Sequence, residues 1–214
     1  MVSVDNSKYM AQFTQAVKLA YKSLAMVAIA LNQLEVGQLS VSLLHPFDIP
    51  FDSDAGARVL SRLSFDNDKA DVVQLMDASL QLFNVAAHSG LGNSADLWHL
   101  QLVIFDGVCQ NHPRLLRQVR TAMDMRIMTV FIVLDRSAIA TSAAAETMNP
   151  EKDSIMNTQQ VLFVKGPSGK MDMMVKQYID TFPFKYYVVL HNIRDLLAVL
   201  AEMLRQYFSI VGSD

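Results

Sequence analysis

The chain has 214 residues, of which 51% are hydrophobic and 18% charged, with a net charge of −3; it is rich enough in apolar residues for one sizeable core and lies outside the disordered range. Lysine and arginine are scattered apart from one helical stripe, which excludes the basic footprint of a nucleic-acid binder. The single cysteine, Cys109, excludes an internal disulfide framework, and no apolar run approaches the ~20 residues that span a bilayer.

One domain is expected over 1–214, and no secretion signal, because the start lacks a basic region followed by an apolar stretch and a cleavage site. Residues 2–7, VSVDNS, read as a short apolar strand opening into a loop with Asp5 and Ser7. Met10, Phe13, Val17, Ala20, Leu24, Val27, Leu31 and Leu34 then recur at steps of three and four, which predicts one long helix closed by Gly37. Leu39, Val41 and Leu43 alternate, predicting a second strand over 38–44. A short helix follows around 56–64, and another over 72–83 with Asp71 as its cap. Residues 88–95, rich in Gly, Ser and Asn, read as a loop.

Residues 100–105, LQLVIF, form an apolar run too short for a free-standing helix, so they read as a buried strand stopping at Asp106-Gly107. Asn111 and Pro113 then start a helix with Leu115, Leu116, Val119 and Met123 inward and Arg114, Arg117 and Arg120 outward. Residues 127–134 make a further buried strand, ending at Asp135. Residues 138–158, rich in small and polar types, read as a surface connection. Residues 161–164 and 171–178 read as a hairpin across the turn 165–170. A strand over 186–190 precedes a closing helix over 192–208, with Ile193, Leu196, Leu197, Leu200, Leu204 and Phe208 on one side. Strands alternating with amphipathic helices predict an α/β fold in three layers, a mostly parallel central sheet wrapped on both faces, plus the extra hairpin near the C-terminus.

In such sheets ligands gather beyond the carboxyl ends of the strands. If the first strand neighbours the 100–105 strand, Asp5, Ser7 and Asp106 converge there, and hard oxygen donors of that kind suit Mg²⁺. The alternative is that both aspartates merely cap loops. Other readings are weaker. GPSGK at 166–170 lacks the spacing of a phosphate loop, and no G-x-x-x-x-G-K-[ST] occurs. Cys109 and His112 lie too close in sequence to Asp106 for nucleophile, base and orienter, so Cys109 reads as a small buried thiol. The five histidines have no metal-ligand spacing. The methionines, Met171, Met173 and Met174 among them, read as core filling.

The D-x-S loop before a long helix, and VIFDG before another, resemble the von Willebrand factor A family, a Rossmann-like fold with a metal-ion-dependent adhesion site. More narrowly, AIALNQLEVGQLSV, LLHPFDIPF, GARVLSRLSF, KADVVQLM, QLVIFDGVCQNH, YIDTFPFKYYVVL and LAEMLRQYF are similar to the C-terminal domain of the midasin family of AAA ATPases, over nearly the whole chain. The resemblance implies a non-enzymatic docking domain, with Asp5, Ser7 and Asp106 as Mg²⁺ ligands and Lys8, Tyr9 and Gly107 at the partner surface. It implies ubiquitin-like domains of ribosome assembly factors as partners, the pre-60S particle as the setting, and the nucleus (nucleolus and nucleoplasm) as the location. Tyr9 stands where the family has a second serine, and Ala70 where it usually has a threonine; neither offers an equivalent hydroxyl. The segment between Val41 and His45 is shorter than the family's. Two other readings stay open, a docking domain that has lost its metal and a Mg²⁺-dependent hydrolase.

Overall fold

The structure, a computed structural model, describes residues 1–11, 14–33, 38–68, 71–88, 97–135, 154–165 and 169–212. Its elements in chain order are β1 (Val2–Val4), α1 (Lys8–Ala11), α2 (Thr14–Gln33), α3 (Ser53–Arg62), α4 (Val72–His88), β2 (His99–Phe105), α5 (His112–Asp124), β3 (Ile127–Leu134), β4 (Gln159–Lys165), β5 (Met171–Gln177), β6 (Tyr187–Leu190) and α6 (Leu196–Val211). Short 3-10 turns lie at Ile155–Asn157, Tyr178–Thr181 and Ile193–Asp195.

Four strands lie in the order β1-β2-β3-β6, every neighbouring pair parallel. Their apolar runs are continuous because both faces are covered. Leu102, Ile104, Val130 and Ile132 pack with Leu24, Val27 and Leu31 of α2 and Leu196 and Leu200 of α6. On the other face Val103, Phe105, Phe131 and Val133 meet Val72, Val73 and Met76 of α4 and Leu115 of α5. Each such large side chain, fully buried, contributes about 1.5–3 kcal/mol. The expected three-layer α/β architecture with a parallel sheet is therefore the observed one, and the β4–β5 hairpin is present as an antiparallel pair.

Several local expectations are corrected. The alternation at 38–44 does not make a strand. Val41 forms a single parallel bridge to Val2, and the chain then turns back through Leu43, at φ 64° and 69% exposed, so that the amide of His45 bonds the carbonyl of Val41. Helix occupies the described part of the predicted long helix on both sides of residues 12–13, as α1 and α2; residues 12–13, Leu34 and Gly37 lie outside the described residues. In α5 the buried stripe is Leu115, Gln118 and Ala122, with Leu116, Val119 and Met123 half-buried. Gln118 is admitted because its amide donates to the carbonyl of Val73 at 2.9 Å and to Asp77. In α6 the stripe is Leu196, Leu200, Met203 and Leu204, whereas Leu197 and Phe208 are exposed. Residue 178 begins a 3-10 turn rather than ending β5. Met171, Met173 and Met174 fill no core: they stand exposed on the hairpin beside Phe163, since nothing among the described residues covers β5. The predicted loop at 88–95 beyond His88, and residues 138–153 and 166–168, lie outside the described residues.

A polar seam crosses the α4 face of the sheet. Ser42 and Ser3 both reach the hydroxyl of Ser79, at 3.2 and 3.0 Å; Gln101 donates to Ser3 at 3.4 Å and accepts from Thr129 at 3.2 Å. Being mutually satisfied, these groups can be buried at little cost.

Candidate functional site

Because the four strands are parallel, their carboxyl ends share one rim. The register pairs Val4 with Ile104, and the Asp5 amide donates to the Ile104 carbonyl at 2.8 Å, so the residues that follow β1 and β2 emerge side by side. Asp5, Ser7 and Asp106 are all buried there. Each carboxylate closes its own loop with one oxygen: Asp5 Oδ1 accepts from the Ser7 amide and Asp106 Oδ1 from the Val108 amide, both at 2.9 Å. Loop capping is thus real, and it leaves two features unexplained. The Ser7 hydroxyl is enclosed without a well-directed hydrogen bond. The Asp5 carboxyl is pushed up to about 6, first by burial and then by the charge of Asp106, while the Ser7 amide and hydroxyl pull it down and Asp71 adds a small upward push.

The surroundings hold the Asp5 loop firmly. Asn6 Oδ1 accepts from the Phe65 amide at 2.6 Å, and the Lys8 amide donates to the Asn67 carbonyl at 3.1 Å. Lys8 pairs at the surface with Asp68 at 3.0 Å, and Tyr9 is 53% exposed. Beside Asp5 opens a cavity of about 160 Å³ lined by Asn6, Leu43, Leu63, Asp71 and Leu75 among others. Gly107 is buried at φ 87°, where a Cβ would come within 2.7 Å of Val133 and 3.2 Å of Ile155; its part in the loop is conformational, and the exposed neighbour is Val108. Ala70 lies outside the described residues.

No family model matches the chain. Over 222 residues, 100% of this chain, it is 26% identical to midasin of Dictyostelium discoideum, and over 220 residues, 99% of it, 28% identical to midasin of Giardia intestinalis. The chain is similar to midasin along its whole length. It spans only 3% and 4% of those two proteins, so the similarity is to one small segment of midasin, consistent with a domain of it. The resemblance carried by the sequence blocks is thereby borne out.

Within this midasin-like segment the next loop residues are anchored from far along the chain. The Cys109 amide donates to the Tyr178 hydroxyl at 2.7 Å, and that hydroxyl donates to the Cys109 carbonyl at 3.0 Å. His112 Nε2 is 3.1 Å from the same oxygen. Burial raises the Cys109 thiol and lowers His112, the reverse of an activated thiol–imidazole pair. Cys109 is the buried thiol expected.

Further along the rim Asp135, fully buried, accepts from Ser154 Oγ at 2.8 Å and the Ile155 amide at 3.1 Å, and lies 2.8 Å from His191 Nδ1. Sequence alone marked Asp135 only as a strand end; its partners follow it by 19 or more residues and carry no local signal. Among the described residues no three His, Cys, Asp or Glu side chains are grouped to hold a metal. What the rim does offer is two carboxylates and a buried hydroxyl without a well-directed hydrogen bond, a sparse oxygen set of the kind Mg²⁺ accepts while keeping several waters. A cation there would meet the Ser7 hydroxyl and offset the mutual repulsion of Asp5 and Asp106, so the residues present fit one.

Proposed function

We propose that this chain is the metal-assisted docking domain of a midasin-type protein. Asp5 and Asp106 would hold Mg²⁺ through carboxylate oxygens and Ser7 through its hydroxyl. When bound, the cation supplies positive charge at the rim, which an acidic residue of a partner can grip. Lys8, Tyr9 and Val108 form the surface around it, and Gly107 sets the loop. The partner is a ubiquitin-like domain of a ribosome assembly factor, which the parent AAA ATPase then removes from the pre-60S particle in the nucleus. The observation that carries this reading is the pair of buried carboxylates on adjacent strand ends with a buried serine hydroxyl beside them that makes no well-directed hydrogen bond.

A second reading, docking without metal, draws on the backbone amide that each carboxylate already accepts. Calorimetric titration of Mg²⁺ with and without a ubiquitin-like domain separates the two. Uptake of the ion that strengthens with the partner supports the bridge, and partner binding indifferent to EDTA supports the metal-free form. Turnover of a phosphorylated compound without partner would overturn both in favour of a hydrolase. For the bridge, Asp106→Ala weakens partner binding by about 2–5 kcal/mol, because one side of a desolvated charge pair is removed; equal affinity of both proteins counts against it.

A further inference from the structure

We infer that Tyr178 is a positioning residue for the rim site: its hydroxyl, seated between the amide and carbonyl of Cys109, fixes the loop that presents Asp106 and ties it to the base of the β4–β5 hairpin. The inference rests on the docking reading above.

Between β2 and α5 the chain has no ladder to hold it. Among its restraints are the Asp106–Val108 turn and the Asn111 cap, which accepts from the Arg114 amide. The amide and carbonyl of the buried Cys109, between them, are both met by one phenol from 69 residues away. Partly enclosed backbone groups of this kind need partners. A hydroxyl serves donor and acceptor at once, as a phenyl ring cannot. The ring is itself fixed, against His112 with centroids 5.3 Å apart and edge-on to Phe182 at 5.4 Å.

Both arms of the hairpin base reach this loop. On one arm Ile155 lies against Gly107; on the other, β5 runs straight into Tyr178, whose amide bonds the Thr158 carbonyl at 2.8 Å and so staples the arms together. The strands beyond stand exposed. A shift of the hairpin base is therefore passed to the loop that carries Asp106.

The test compares the 214-residue chain with Tyr178→Phe and with Phe182→Leu, which disturbs the same aromatic cluster but not the hydroxyl. Without metal, amide hydrogen exchange in Tyr178→Phe is expected to quicken about tenfold across 107–111 with β2 and β3 unchanged, the loss of one hydrogen-bonded anchor. Mn²⁺ affinity, followed by paramagnetic broadening of the same amides, is expected to fall about tenfold, and Phe182→Leu to behave as wild type in both respects. Unchanged exchange in Tyr178→Phe overturns the inference, as does an equal effect from Phe182→Leu, or unchanged affinity where the wild type takes up Mn²⁺. Absence of Mn²⁺ uptake by the wild type refutes the metal reading, and the exchange result then decides the anchoring by itself.

Discussion

Burial beside Asp106 raises the Asp5 carboxyl to about 6, so between about pH 4 and pH 6 the folded chain binds a proton that the unfolded chain has released. Stability of the metal-free domain is therefore greatest below that window and declines as pH rises through it, by about 3 kcal/mol for a shift of roughly two units. Asp5→Asn, whose side-chain oxygen can still accept from the Ser7 amide, should stabilise the metal-free protein at pH 8 by about 1–3 kcal/mol and flatten the profile between pH 4 and 6; urea unfolding across that range measures both. On the metal-assisted docking proposed above, the same substitution should abolish cation uptake, and wild-type uptake should fall as pH drops through about 6, when Asp5 takes its proton. Gly107 is constrained in another way. Its positive φ and its contact with Val133 and Ile155 leave no room for a methyl, so Gly107→Ala should cost about 2–4 kcal/mol and displace the Asp106 loop, seen as amide shifts confined to 106–111.

Among the elements, the hairpin is the one whose packing contributes least to the core. Phe163 and Met173 face each other across β4 and β5, and each is 67% exposed; replacing both with serine should lower stability by no more than about 1 kcal/mol, read from thermal unfolding. The hairpin was legible in sequence as a pairing, because Gly and Pro at 166–169 demand a turn, yet methionine and phenylalanine say nothing about which side is covered. Helix starts were the most legible features, since Asp71, Asn111 and Pro113 act within one turn and do so as expected. The 38–44 strand was not, because alternation describes a chain that could pair and Leu43 instead takes a left-handed turn. At the candidate site, Asp5, Ser7 and Asp106 could be named because each follows an apolar run. Tyr178 and His191 could not, since their contacts to Cys109 and Asp135 join distant elements, and only the strand order brings them together.

For the molecule as a whole, Asp135 closes a circuit: through Ser154 Oγ and the Ile155 amide it joins the two ends of residues 136–153 within hydrogen-bonding distance. Ser154→Ala, which removes one of the donors to the buried Asp135, should lower stability by about 1–3 kcal/mol; unfolding by urea checks this. The strand directions have a mechanical meaning too. Asp5 and Asp106 sit at one rim, while at the opposite rim α6 is fastened to the approach of β2 by Tyr207, whose hydroxyl donates to the Trp98 carbonyl at 2.7 Å. A tug between these rims runs lengthwise along β1 and β2, so the bonds joining them are loaded in shear and must yield together, whereas a sideways pull would open them one after another like a zip.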